Sequence, residues 1–183
     1  MKYFKYLLYL IPLAALFSSG LVAAAESEET YLLLNVDTTG PLMARDVEFT
    51  NVDTGETVLV KDVIELGRYT QTHFYLLPIN PGLYYLSKIY PTHNRIDASP
   101  AIDVDERSGI ITIQENAINY IGDVIIETKD MGPRVSTLVT YEANSRTLVH
   151  AVSSEREIFE RLETVVTIAG HYPVPVDKQL LGL

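Results

Sequence analysis

The sequence predicts a mainly β fold: one antiparallel β-sandwich, with one or two short helices near its C-terminal end. Two patterns carry that expectation. From Tyr31 to Tyr141 the chain runs through short stretches of alternating apolar and polar residues, with turn residues about every 8–12 positions, as in two-layer antiparallel folds. After Asn144 the apolar residues recur at helical spacing instead. Composition agrees: of 183 residues 47% are hydrophobic and none is cysteine, so stability must come from a packed core rather than from disulfides.

The first 25 residues read as a secretory leader. Lys2 and Lys5 make a positive start, Tyr6 to Phe17 is apolar over 12 positions with Pro12 as its one interruption, and Ala23-Ala24-Ala25 offers a small-residue cleavage site before Glu26. The apolar run falls short of the roughly 20 residues that span a bilayer. The expected organisation is therefore 1–25 leader and 26–183 sandwich domain, with no stable membrane insertion once the leader is cut. That places the mature chain in the bacterial periplasm or outside the cell. It would keep 158 residues, with 12 basic against 24 acidic side chains. A balance of −12 without a basic cluster argues against nucleic-acid partners and anionic membrane surfaces.

Tyr31 to Val36 is the first expected strand. Arg45 to Val52 and Glu56 to Val60 flank Asp53-Thr54-Gly55 as a hairpin, with Gly55 at the left-handed position. Phe74 to Tyr90 reads as strand, turn, strand. Pro78 must end its strand or lie at an edge because it cannot donate to a ladder. Pro81 and Gly82 shape the turn. Strict alternation beyond it puts Tyr84, Leu86, Lys88 and Tyr90 on one face. Pro91 to Asp105 reads as a loop, Gly109 to Ile113 as a short strand, and Ala117 to Glu127 as a long one. Gly122 in its middle marks a bulge or a close approach by another backbone. Met131-Gly132-Pro133 is a turn, and Arg134 to Tyr141 is the last strand before the helical segment. That segment is expected over about 144–166. Asn144 is its N-cap, Ser154 and Glu157 form a capping box, and Ile158, Leu162 and Val165 make an apolar stripe. The tail from Gly170, with Pro173 and Pro175, reads as irregular.

One stretch carries a family resemblance. Phe74 to Leu86, an apolar strand followed by L-P-x-x-P-G-x-Y-x-L, resembles the F-x-x-L-P-P-G-x-Y-x-L signature of carboxypeptidase-regulatory-like and transthyretin-like β-sandwiches. Ala117 to Asp123 (AINYIGD) is similar to a strand of an uncharacterised family of exported bacterial proteins with that sandwich. The resemblance covers Tyr31 to Tyr141 and implies an Ig/transthyretin-like fold. It implies structural roles for Pro81 and Gly82 in the turn and for Tyr84 and Tyr120 in packing or hydrogen bonding, and it implies no catalytic residue. Ile79-Asn80 between the two prolines departs from the family pattern by lengthening the turn.

Motifs for chemistry are sparse. His73, His93, His150 and His171 show no metal-ligand spacing. Asp103-Val104-Asp105-Glu106 is the densest oxygen cluster but lacks the spacing of a calcium loop. Neither G-x-S-x-G nor a glycine-rich phosphate loop occurs. The expectation is a non-catalytic binding or accessory protein with no cofactor, no metal and a protein or cell-envelope partner. Its candidate surface is Tyr84, Lys88 and Tyr90, because exposed tyrosines anchor partners or stack on sugars. The alternative is a carbohydrate-binding or glycan-processing protein that uses the same tyrosines.

Overall fold

The computed structural model describes residues 29–63, 74–92, 101–105, 109–130 and 135–183. The leader, His73, His93, Glu106 and the turn at Met131-Gly132-Pro133 lie outside the described residues.

Eleven strands and two helices make up the described chain: β1 (Tyr31–Thr39), β2 (Met43–Asn51), β3 (Thr57–Val60), β4 (Tyr75–Pro78), β5 (Gly82–Thr92), β6 (Ile102–Asp103), β7 (Ile111–Ile113), β8 (Ala117–Asp130), β9 (Val135–Glu142), α1 (Ser145–Ser154), α2 (Arg156–Arg161), β10 (Glu163–Val166) and β11 (Val174–Val176). A 3₁₀ turn, Lys178–Leu181, follows. They form the expected two-sheet sandwich with a short helical segment. Sheet A runs β11-β10-β8-β1-β4 with β9 also on β8, and sheet B runs β3-β2-β5-β6 with β7 also on β5.

The pairing is not wholly antiparallel. β8 runs parallel to both β1 and β10, whereas the other seven pairings are antiparallel. Parallel neighbours need a long crossover, commonly through a helix. The helices supply one: α1 and α2 carry the chain from the end of β9 back to the start of β8, where Glu163 in β10 lies beside Ala117. This crossover corrects the helical boundary. The segment expected to reach residue 166 stops at Arg161, and Val165 belongs to a strand. Two further expectations fail here. Ser154 ends α1 and caps nothing, since α2 begins after Glu155 without a side-chain cap. The tail contains β11 and the 3₁₀ turn rather than only irregular chain, because β10 leaves an edge on which Val174–Val176 can pair.

Asn144 does cap α1, its side chain accepting from the Arg146 amide. Gly55 takes φ 71° in the β2–β3 turn, where Asn51 Oδ1 accepts from the amides of Asp53 and Thr54 at 2.9 and 3.0 Å. Pro78 ends β4, an edge strand of sheet A. The strands on either side of Pro81-Gly82 do not pair, however: β4 lies in sheet A and β5 in sheet B. The turn is thus a bridge between layers, and the longer Ile79-Asn80 spacing suits it, with Ile79 buried in the core between the sheets. Gly82 has φ 145°, and a Cβ there would sit 2.6 Å from Asn51 Nδ2. The stretch read as a loop after Tyr90 continues β5 to Thr92 and later forms β6, two residues paired with Lys88 and Ile89.

Two apolar clusters hold the layers. The larger lies between the sheets and includes Leu34, Phe49, Leu86, Ile111, Val124 and Ile126. The smaller lies on the outer face of sheet A, where Leu33, Ile118 and Tyr120 meet Leu148, Val152 and Phe159 of the helices. Each large side chain fully buried in these clusters contributes about 1.5–3 kcal/mol.

β8 serves both clusters because it is bulged at Gly122. Tyr120 pairs with Leu33 but Asp123 pairs with Asn35, so two residues of β8 oppose Leu34. The extra residue reverses the alternation. Ile118 and Tyr120 face the helices, whereas Ile121, Val124 and Ile126 face sheet B. Gly122 adopts φ 89°, and a Cβ would lie 2.7 Å from the Glu142 carbonyl oxygen and 2.8 Å from Ile168 Cδ1. Gly122→Ala is therefore expected to cost about 3 kcal/mol or more, through a strained backbone and overpacking together. Urea denaturation measures this, and an unchanged midpoint would refute the close approach.

Candidate functional site: the outer face of sheet B

The candidate face is built by β2 and β5, paired with Glu48 opposite Lys88 and Asp46 opposite Tyr90. β5 also carries a bulge: Phe49 pairs with Leu86 and Glu48 with Lys88, which leaves Ser87 as the extra residue. Alternation again reverses. Tyr84, Leu86 and Ile89 point into the core, and Lys88 and Tyr90 point outward.

The expected trio is thereby split. Tyr84 is 1% exposed and belongs to the core, its hydroxyl pushed upward in pKa chiefly by burial. It cannot anchor a partner. A strict two-residue period misplaced it because that period cannot register a bulge, and the Ser87 position carries no sequence mark of one. Tyr85, which simple alternation sets opposite Tyr84, is partly exposed.

Lys88 and Tyr90 do come together, and Glu48 is what joins them. The Tyr90 hydroxyl donates to Glu48 Oε2 at 2.9 Å, and Lys88 Nζ lies 3.4 Å from Oε1. Ser87 Oγ donates to the Glu48 carbonyl oxygen at 3.1 Å and receives the Thr50 hydroxyl at 2.6 Å. The Glu48 side chain is 13% exposed, against 42% for Lys88, so the carboxylate lies under its partners. Its hydrogen bond and charge raise the pKa of Lys88, and its hydrogen bond raises that of Tyr90. At neutral pH the pair therefore offers an ammonium and a neutral phenol. These are donors and a stacking ring, not a base or a nucleophile. Asp103, from the acidic cluster, is exposed on β6 opposite Lys88.

A second polar group sits on the outer face of sheet A where the helices begin; it joins Tyr120 and Asn144, both singled out in the sequence, to Asp123, which was not. The Tyr120 hydroxyl lies 3.2 Å from Asp123 Oδ1 and 3.1 Å from the Asn144 carbonyl oxygen, and it accepts the Asn144 amide at 3.0 Å. Asn144 Nδ2 donates to Asp123 Oδ2 at 2.7 Å. Asp123, 3% exposed, is thus held beside the N-terminus of α1, where a negative charge is favoured. Tyr120 is pushed strongly upward in pKa by burial, so it stays a neutral donor. Asp37 lies along the same face of β1, and its pKa is raised first by desolvation and then by the charge of Asp123, against the opposing hydrogen bond from Asn35. The sequence signal for the third member, Asp123, was a carboxylate inside an otherwise apolar run.

A cleft of about 380 Å³ opens near the start of β1, lined by Glu29, Tyr31, Glu56, Val58, Pro78 and Asn80 among others. Its carboxylates already have partners: Asn80 Nδ2 donates to both oxygens of Glu56 at 2.8 and 3.0 Å, and Arg161 reaches Glu29 at 2.7 Å. His150 is exposed on α1, with its ring edge-on to Phe74 at 5.3 Å, and His171 is exposed in the tail. Among the described residues no three His, Asp or Glu side chains are grouped to hold a metal ion, and no helix is long and apolar enough to cross a membrane. Comparison with protein-family models, with curated proteins and with solved structures finds no match to this chain.

Two measurements probe the polar group of sheet A. Tyr120→Phe removes the hydroxyl shared by Asp123 and Asn144 and is expected to destabilise the fold by about 1–3 kcal/mol. Equal denaturation midpoints for parent and variant would mean the hydroxyl ties nothing down. Asp37→Asn should do the opposite. A carboxyl whose folded pKa is raised supports the fold fully below its unfolded value of about 3.9 and loses that support as pH rises through the folded value. Asp37→Asn is expected to melt above the parent at pH 7, with the difference vanishing near pH 3. A variant that gains nothing at pH 7 contradicts the combined desolvation and repulsion of the Asp37 carboxylate.

Proposed function

We propose that this chain is an exported, non-catalytic binding or accessory β-sandwich of the bacterial cell envelope. It meets a protein or envelope partner through the outer face of sheet B, centred on Lys88 and Tyr90. The observation that carries the proposal is the unequal treatment of the two outer faces. The helices pack on sheet A, and none of the residues clustered with them belongs to sheet B. On sheet B the outward side chains form a prearranged set of donors around Glu48, with Tyr85 and Tyr90 as partly exposed rings. A ring and an ammonium held by a shared carboxylate lose little freedom when a partner docks.

The alternative, a glycan ligand, is supported by the same two rings, because tyrosine faces stack on sugars while hydroxyl and ammonium groups bond to them. One set of variants separates these readings. Tyr90→Ala and Lys88→Ala are expected to weaken partner binding about tenfold or more each, at hot-spot magnitude, while melting within a few degrees of the parent. Binding assays on soluble envelope glycans and on envelope protein extracts distinguish the two ligand classes. Tyr84→Ala is the control for fold loss, with an expected cost of about 3–5 kcal/mol for a large aromatic truncated in the core. Binding of either class that survives Tyr90→Ala and Lys88→Ala unchanged would remove this face from consideration.

A further inference from the structure

Among the described residues the edge strands of this sandwich are guarded, with one exception. An unpaired strand edge is a template for another chain, and proteins blunt such edges by shortness, proline or charge. β4 has four residues and ends on Pro78; β11 has three, with Pro175 at its centre; β3 has four; β6 and β7 have two and three. β9 has eight residues. It pairs with β8 on one side and with no described strand on the other. From Val135 to Tyr141 it has neither proline nor charge, although the chain as a whole carries −10.

The pattern of β9 is close to symmetric about Leu138. Ser136, Leu138 and Thr140 are exposed on one face, and Leu138 is 54% exposed. Thr137, Val139 and Tyr141 point inward and are partly buried. In an antiparallel pairing of two identical strands centred on Leu138, Leu138 meets its own copy, and Ser136 meets Thr140 twice. An isologous two-fold contact needs this self-complementarity. It also needs tolerance of like charge, and these seven residues set no two like charges opposite each other.

The geometry points to β9 as the seam of a dimer of this chain, in which two copies of sheet A join edge to edge into one continuous sheet. The occupant of the free edge is a second copy of the same strand. Because each copy is acidic, long-range repulsion opposes the contact, and salt strengthens it as the Debye length shortens to about 10 Å at 0.1 M.

Sedimentation equilibrium of the protein across concentration and salt tests this. The expected result is a monomer–dimer equilibrium that tightens as NaCl is raised. Leu138→Lys sets a lysine against its own copy at the centre of the seam, and the dimer should weaken about tenfold or more. Since residue 138 points outward, the melting point of the monomer should stay within a few degrees. Amide exchange supplies the second readout: the alternate amides of residues 136–141 that point away from β8 should slow with protein concentration. Three results overturn the proposal: a parent that stays monomeric at about 0.2 mM and high salt, far above a micromolar Kd; a Leu138→Lys dimer of parental affinity; or a dimer whose β9 amides on the free edge exchange at the monomer rate. Protection of β9 that needs a different protein would likewise assign the edge to that partner.

Discussion

β8 is the strand on which the rest of the molecule depends. It has neighbours along both edges, β1 on one side and β9 with β10 on the other, and it faces apolar clusters above and below. A strand in that position must present apolar side chains in both directions, which strict alternation also allows. Strict alternation, however, would send Ile118, Tyr120, Val124 and Ile126 all to one face. The bulge at Gly122 divides this set. The first half of β8 serves the helices and the second half serves sheet B. Only a residue without a Cβ fits the bulge, because the Glu142 carbonyl and the Ile168 side chain close over it.

The two outer faces follow from that division. Where β8 turns Ile118 and Tyr120 outward, sheet A has an apolar surface that water must not reach, and α1 with α2 seals it. The Tyr120–Asp123–Asn144 bonds fix where the seal starts, since Asn144 is both a partner of that group and the cap of α1. Among the described residues the outward face of sheet B is mixed, with Leu59 and Leu83 exposed beside its polar side chains. Its outward residues include Thr50, Lys88 and Tyr90, satisfied among themselves around Glu48. A face that mixes satisfied polar groups with scattered exposed apolar side chains stands without cover, and that is the physical basis for reading it as the side on which the protein meets others.

Much of this was legible in the residues, and the failures share a cause. Hairpins and caps are local, so Gly55, Asn144 and the edge position of Pro78 could be read from a few neighbouring letters. The sandwich followed from the succession of alternating runs. Gly122 did mark the bulge of β8; what could not be read were the bulge of β5 and sheet membership. Tyr84 was set on the candidate surface because nothing near Ser87 announces an extra residue in β5. The strands flanking Pro81-Gly82 look like a hairpin, yet their partners, β1 and β2, lie more than thirty residues upstream of each. Val165 fits a helical stripe as well as a strand, and the edge offered by β8 decides between them. Of the candidate site, Lys88 and Tyr90 were found and their organiser, Glu48, was not, because cross-strand register fixes that contact.

The parallel pairings set the order in which this molecule can assemble. β8 draws one neighbour from the start of the described chain and another from near its end, and Glu163–Val166 is synthesised more than thirty residues after β8 itself. Such distant partners make folding slow, because loop closure precedes any reward from contact. The β2–β3 hairpin can form early, but the central sheet waits for the last fifth of the sequence. A nascent chain of this design therefore cannot close sheet A around β8 until synthesis is nearly over.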